Sequence, residues 1–172
     1  MTGGNKRFEG KYRGTVVNNV DPLQKGRIQV MVPDVQNLTL STWAMPCLPI
    51  AGIQTGMFAL PPIGAGVWVE FEQGDIDFPI WVGGFWGSAA EIPALSHIVP
   101  PMISGFTLQT TLMNGIVVSD VPGPTGGIML KSTTGASIIV NDTGIYIQNG
   151  KGASIVMVGP SITVNAGAMV IT

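Results

Sequence analysis

The sequence predicts an all-β protein made of many short strands joined by tight turns. Its 172 residues include 24 Gly and 13 Pro, which favour turns and interrupt helices. Apolar and polar residues alternate over short runs, which is the pattern of strands that bury one face. Toward the end of the chain, glycines also recur every seven to nine residues. Together these observations exclude a protein built from long helices.

The chain carries few charges for a protein that faces water. Charged residues make up 10% of it, against roughly 25% in an average soluble domain, and the mean hydropathy is +0.41. We therefore expect much apolar surface to be buried between subunits. The net charge is -2, which argues against a nucleic-acid partner because nucleic-acid-binding surfaces are usually basic.

Cysteine content and hydropathy indicate where the chain folds. Cys47 is the single cysteine and cannot form an intrachain disulfide, and residues 1–7 are followed by no apolar run typical of a signal peptide. The most apolar stretch, residues 43–53, contains Pro46 and Pro49 and is shorter than the roughly 18 residues that a membrane helix needs. We expect a protein that folds and assembles in the cytoplasm.

Charge density changes near residue 91 and divides the chain in two. After this point the charged residues are Asp120, Lys131, Asp142 and Lys151. We therefore expect two different architectures. The predicted boundaries are an N-terminal arm at 1–10, a first domain at 11–91, a linker at 92–103 and a second domain at 104–172.

Five strands are predicted in the first domain, with turn-forming Gly, Pro, Asn and Asp residues between them. A small closed barrel suits so many short strands, because closure removes the edges that an open sheet exposes. The predicted strands cover residues 12–17, 26–32, 41–47, 67–71 and 79–85.

Glycines punctuate the second domain at regular intervals. They are 8, 9, 8, 7 and 8 residues apart, so each unit is one short strand and one glycine corner. Alternating apolar residues between the corners give each strand one apolar face. The glycines are Gly127, Gly135, Gly144, Gly152, Gly159 and Gly167.

Eight-residue units are too short to enclose a core within one chain, since a single-chain solenoid needs rungs of about 18 residues or more. We therefore expect three chains wound about one axis, each giving one strand to each face, with backbone hydrogen bonds running between chains. Outward Ser, Thr, Asn and Gln would meet water. The alternative is an ordinary meander or sandwich of six short strands. The predicted inward residues, the trimer core, are Ile128, Leu130, Ile138, Val140, Ile145, Ile147, Ile155, Met157, Ile162 and Val164.

Four segments of the first domain carry a family resemblance. They are GRIQV at 26–30 after the Asp21-Pro22 turn, STWA at 41–44, LPPIGAGVWVEFEQGD at 60–75 and DFPIWVG at 77–83. In order, spacing and residue type they closely resemble the phage baseplate injector OB domain. That domain occurs in the central spikes of contractile tails and in the valine-glycine-repeat protein of type VI secretion. The resemblance implies a five-stranded OB-fold barrel for residues 11–91.

The second domain resembles the trimeric triple-stranded β-helix, or β-prism, that follows this barrel in such spikes. It starts near SGFTL at 104–108 and continues through GASIIVND at 135–142 to Thr172. The resemblance implies a homotrimer without cofactors in a phage tail-like particle or virion. Its partners would be baseplate hub and tail-tube proteins and, transiently, the target cell envelope.

The C-terminal end is apolar and has no polar cap. His97 is the single histidine, so the paired-His iron site at the tip of some short phage spikes is not expected. In the family that the chain resembles, blunt ends of this kind are closed by a separate PAAR-repeat tip protein. The resemblance therefore implies a docking surface for such a protein at Ala168, Met169, Val170, Ile171 and Thr172.

Carboxylates offer little catalytic chemistry. Glu70 and Glu72 are two residues apart on one predicted strand and share a face, with Asp75 and Asp77 in the turn beyond. A glycosidase needs carboxylates that oppose each other across a cleft. We expect an exposed acidic turn rather than an active site or a calcium site, and therefore no enzyme.

The remaining reactive and aromatic residues also favour structural roles. Cys47 is predicted to be a buried small apolar side chain, and His97 a linker residue. Trp43, Trp68 and Trp81 lie in predicted strands, where core or subunit-interface packing is the usual role of the ring.

The predicted function is a structural central spike. It would be a cell-puncturing device in the baseplate below the tail tube of a phage-like contractile injection system. The alternative is a single-stranded nucleic-acid-binding OB-fold protein, but residues 1–91 carry six basic and eight acidic side chains where a basic groove is needed. A β-helical polysaccharide-degrading enzyme would need an acidic cleft, for which residues 92–172 offer only Asp120 and Asp142.

Overall fold

The computed structural model describes residues 6–36 and 39–171, and the side chains of residues 36, 167, 170 and 171 are left out. The chain divides into two compact units between Glu91 and Ile92. Apart from the four-residue helix α1 (Pro33–Gln36) and short 3₁₀ turns, the regular elements are strands. The prediction of an all-β protein is confirmed.

None of the helices among the described residues is long and apolar enough to cross a membrane.

The first unit is a curled sheet of five strands with a small separate hairpin. The sheet order is β2-β1-β6-β7-β3, in which β3 runs parallel to β7 and the other neighbours are antiparallel. The hairpin is formed by β4 and β5. The strands are β1 (Tyr12–Asn18), β2 (Gln29–Met31), β3 (Met45–Pro46), β4 (Ala51–Gly52), β5 (Thr55–Gly56), β6 (Gly66–Phe71) and β7 (Pro79–Phe85).

Two backbone hydrogen bonds join the ends of this sheet into a barrel. Ile28 N donates to Ala44 O at 3.1 Å, and Ala44 N donates to Ile28 O at 2.8 Å. These residues precede β2 and β3, so the first and last strands of the sheet meet there. All five predicted strands are present and the predicted barrel is confirmed. The second and third strands are shorter than expected because only single bridges extend them.

Alternation along the strands places the core of the first unit inside the barrel. In β6, Val67, Val69 and Phe71 are buried, while Trp68 and Glu70 between them are half-buried on the outside. Trp81 of β7 is buried, and its Nε1 donates to Gly26 O at 3.1 Å, so the indole N–H keeps a partner. The core also contains Val16, Ile28, Val30, Val32 and Ala44.

A buried carboxylate organises the turn that leads into β2. The two oxygens of Asp21 accept hydrogen bonds from the backbone N–H groups of Leu23 at 2.9 Å and Lys25 at 2.8 Å. Arg27 Nη2 lies 2.6 Å from Asp21 Oδ1. The hydrogen bond from Arg27 is the main reason that the pKa of Asp21 lies well below its usual range. The same contact raises the pKa of Arg27.

The second unit contains one antiparallel meander of eight strands. Each strand pairs with the strands before and after it in the sequence. The tightest turns, residues 142–143 and 159–160, contain only two residues and fold each strand back onto its predecessor. The strands are β8 (Gly105–Gln109), β9 (Gly115–Ser119), β10 (Gly127–Lys131), β11 (Ser137–Asn141), β12 (Gly144–Gln148), β13 (Ser154–Val158), β14 (Ser161–Val164) and β15 (Met169–Ile171).

This pairing contradicts the expectation that backbone hydrogen bonds run between chains. Backbone hydrogen bonds between neighbouring described strands run within one chain, not between chains, because two-residue turns leave no length to pass a strand to another subunit. A chain therefore supplies a continuous sheet rather than isolated strands. Two of the predicted glycine corners require glycine. Gly135 lies in a turn with a φ of 90°. Gly127 has a φ of 83°, and a side chain there would overlap the carbonyl of Val140.

Replacing Asp21 with Asn is expected to lower the melting temperature of the first unit at neutral pH, because Arg27 loses its carboxylate. A carboxyl whose pKa falls on folding stabilises the fold above its ordinary pKa of 3.8 and stops doing so as the pH falls toward the folded value. The gap between parent and variant should be full at pH 7 and shrink below about pH 4. Tryptophan fluorescence is the readout, since all four Trp residues lie between positions 43 and 86.

The control is Lys11→Met, which removes the exposed ion pair between Lys11 and Glu70. This variant should change stability by less than about 1 kcal/mol. Equal melting of Asp21→Asn and the parent across this pH range would contradict the role given to Asp21.

Candidate subunit interface

One face of the eight-stranded sheet is apolar throughout. Directly opposed residues of antiparallel strands lie on the same face, and the register places apolar residues opposite apolar ones from β8 to β15. They form two columns, which we call the apolar face. One column is Phe106, Val118, Ile128, Val140, Ile145, Met157 and Ile162, and the other is Leu108, Ile116, Leu130, Ile138, Ile147, Ile155, Val164 and Met169.

The apolar face stays open in the single chain. Ile128 is 49% exposed, Ile138 42% and Leu130 41%, although each lies in the middle of a regular strand. Fully burying such a side chain stabilises a protein by about 1.5 to 3 kcal/mol. Half of that is on the order of 1 kcal/mol for each of the ten exposed residues of this face, which is a large driving force for association.

All ten residues of the predicted trimer core lie on the apolar face. Six of them are exposed, and Ile145, Met157, Ile162 and Val164 are half-buried. Their contact with symmetry-related copies stays a prediction. The sequence reasoning placed residues 104–172 in the second domain but listed no inward residues from β8 and β9, because these strands precede the first regular glycine. The alternation of Phe106 and Leu108 in GFTLQ would have shown β8, whereas GIVVS in β9 has three apolar residues in a row and does not alternate.

The opposite face differs from the expectation that outward positions carry Ser, Thr, Asn and Gln. Its outer positions carry Ser, Gln, Asn, Gly and Lys, but its middle column is largely apolar, with Val117, Met129, Ile139, Tyr146 and Val156. Only Val117 of these is fully buried. A five-residue strand has three positions on this face, and its centre is shielded by neighbours on both sides.

The linker segment packs on that opposite face, near β8 and β9. Leu95 lies in a 3₁₀ turn, Ala94–Ile98, and is buried. Leu95 N donates to Gln109 Oε1 at 2.8 Å. A side chain on Gly115 would overlap Leu95. The segment therefore leaves the apolar face free.

The C-terminal strand β15 ends the sheet. It pairs with β14 on one side, and Met169 is 57% exposed. Of the other predicted tip residues, Ala168 is exposed, and the side chains of Val170 and Ile171 and the whole of Thr172 lie outside the described residues. Docking of a partner at this end stays a prediction.

The acidic residues near the end of β6 lie in different local structures. Glu70 pairs with Lys11 at 2.6 Å. Glu72 lies beyond β6 in a 3₁₀ turn, so the prediction that it shares a strand with Glu70 is wrong. The strand ends at Phe71 because the chain reverses at Gln73, which has a φ of 52°. Within the part of the chain that the structure describes, no three His, Cys, Asp or Glu residues are grouped to hold a metal ion.

Cys47 is exposed, which contradicts its predicted burial. Its backbone N donates to Trp81 O, which fixes the segment beside β7. Leu48 packs against the core instead, so Cys47 faces outward. His97 lies exposed in the 3₁₀ turn of the linker segment.

Two of the tryptophans are covered by arginine. The Arg27 guanidinium carbon lies 5.3 Å from the ring centre of Trp43, and that of Arg13 lies 5.5 Å from Trp68. Trp68 also packs against Phe85, with 5.0 Å between ring centres. These rings are therefore partly occupied by contacts within the chain, which weakens their use as platforms for nucleic-acid bases.

Comparison with protein families decides the identity. Residues 12–86 match the family described as type VI secretion system/phage-baseplate injector OB domain. Residues 105–170 match the phage baseplate V C-terminal trimerisation domain. The chain belongs to the phage baseplate V family. A search of the curated proteins finds no match.

The two domain families account for both units of this baseplate V protein. The barrel is an injector OB domain, and the meander is a trimerisation domain whose limits enclose the whole apolar face. Proteins of both families are structural components of a baseplate. The suspected resemblance is thereby confirmed, and the family supports a homotrimer in a baseplate.

Replacing Ile147 with Asp tests which face lies inside the trimer. Three carboxylates would then meet in an apolar core, where each buried charge costs several kcal/mol or takes up a proton. We expect loss of the trimer at pH 7 in sedimentation velocity, with recovery as acid protonates the carboxylates.

The matched control is Asn149→Asp, two residues away. Asn149 Oδ1 only accepts hydrogen bonds, from the N–H groups of Lys151 and Ala153, and a carboxylate keeps both. A trimer of Ile147→Asp as stable as that of the control would place Ile147 in solvent and reverse the assigned face.

Proposed function

We propose that this baseplate V protein is the homotrimeric, non-enzymatic central spike of a phage-like contractile injection machine, and that it punctures the target cell envelope. The observation that carries the proposal is the apolar face, which is continuous over eight strands and lies within a trimerisation domain. A face of this length suits a shaft.

Three such sheets around one axis would make a triangular prism. Each chain supplies one wall, and the three apolar faces form the core. Eight strands spaced about 4.8 Å apart give a wall about 35 Å long. Axial load would be carried along each wall by hydrogen bonds within a chain, and the walls would be held together by side-chain packing.

The barrel would form a collar within the baseplate. In this position it contacts hub and tail-tube proteins, and the prism extends toward the target envelope. The particle would be assembled in the cytoplasm and reach the target on firing. The family description, which covers both phage baseplates and type VI secretion, supports this location without choosing between the two machines.

The far end of the prism would bind a PAAR-repeat tip protein. Support comes from β15, which lies at the end of the sheet, and from the exposed side chain of Met169. Strand pairing with β15 would orient the tip protein, and burial of apolar side chains would drive its binding.

The location is tested by gold labelling of particles. A peptide tag after Met1 of the chain, in particles from the bacterium or phage that carries this gene, should place gold at the baseplate end of the tail. Labelling along the sheath or tube, or absence of the chain from intact particles, would refute the spike role. Binding of single-stranded DNA in a gel-shift assay would instead support the nucleic-acid alternative.

Truncation after Ala166 tests the tip. This variant removes β15, and we expect it to lose at least nine tenths of the PAAR-repeat protein that the full chain captures in a pull-down. Asn149→Asp, which changes charge but leaves β15 intact, should capture as much as the parent. Equal capture by the truncated chain would remove β15 from the tip interface.

A further inference from the structure

An exposed apolar segment of the first unit lies between two leucines that pack against the barrel core. Leu48 and Leu60 pack against the core at its two ends. Between them, residues 49–59 contain the short hairpin of β4 and β5, which has only two paired positions. We call residues 49–59 the arm.

The arm exposes more apolar side chain than a free hairpin sustains in water. Ile53 at its tip is 97% exposed and Phe58 68%, and Ile50 and Met57 are also exposed. A hairpin with two paired positions and no apolar layer over it is at best marginally stable alone. Grouped exposed apolar residues of this kind mark a protein contact.

The charge pattern narrows the chemistry of the partner. No Asp, Glu, Lys, Arg or His occurs between Asp34 and Glu70, so the arm and its base carry no charge. The partner surface must therefore be apolar rather than acidic or basic.

The trimer puts such a partner within reach. Residues 92–104 are a short connection between the barrel and a trimerisation domain, so three barrels are held at an effective concentration on the order of millimolar. We propose that the arm of each barrel packs against the barrel of the neighbouring copy in the trimer. This inference rests on the homotrimer of the proposed function.

The neighbouring barrel offers a matching surface. Three-fold contacts are head to tail, so the arm must meet a different patch of the same chain. Val20, Leu23 and Ile63 are exposed on two loops. Asn19 Nδ2 donates to Pro61 O at 3.0 Å and joins these loops. They form an apolar acceptor for the arm, since the one charged residue on these loops, Asp21, is buried and paired with Arg27.

Photo-crosslinking of the full chain tests this contact. Benzoylphenylalanine at position 53 should give covalent chain-to-chain adducts in the purified trimer, mapped by mass spectrometry to residues 18–23 or 60–64. The control is the same group at position 73, which is also exposed and lies in a turn of the same barrel. Its adduct yield should be at least fivefold lower.

A charge in the arm gives a second readout. Ile53→Asp should keep the trimer, because the trimerisation domain is untouched, but lower the melting of the first unit followed by tryptophan fluorescence. Amide exchange in β4 and β5 should rise at least tenfold. Gln73→Asp, which adds the same charge in the other turn, should leave both unchanged.

The outcomes separate this inference from the proposed function. A trimer without adducts at position 53, or with adducts only outside the acceptor loops, would overturn the contact and leave the spike intact. Adducts that require an added baseplate protein would assign the arm to that protein and also overturn it. A monomeric mass would remove both proposals.

Discussion

The antiparallel sheet of the second unit carries an apolar face that its own chain leaves open. Fifteen described side chains, from Phe106 to Met169, lie on it in two columns, while the linker segment around Leu95 packs on the other side, near β8 and β9. A single sheet cannot bury such a face, and two further copies can. This constraint is the physical basis of the proposed trimer and of the proposed shaft.

The barrel, in contrast, is stabilised by contacts within a single chain. Its core is complete within one chain, and the hydrogen bonds between Ile28 and Ala44 close the sheet. The buried Asp21 accepts hydrogen bonds from backbone N–H groups of the turn before β2 and forms an ion pair with Arg27. The guanidinium of Arg27 also lies over the ring of Trp43. The first unit therefore has a closed core of its own, but its arm and two of its loops expose apolar side chains.

Alternation in the sequence predicted both the barrel strands and the apolar face, because side-chain direction has a period of two in any strand. It did not predict which strands pair. Chains wound about an axis and a meander within one chain place Ile138 and Ile147 on the same face, so the alternation does not distinguish them. Turn length does, since residues 142–143 allow only a hairpin. Cys47 was misassigned because local hydrophobicity does not show that Leu48, its neighbour, takes the inward position.

The oligomeric mass of the full chain tests the burial of the apolar face most directly. Light scattering in native buffer should give three times 18.0 kDa, and the mass should persist on dilution because the face drives association strongly. A well-folded chain that stays at 18.0 kDa would contradict the account, since the apolar face would then be stable in water without a partner.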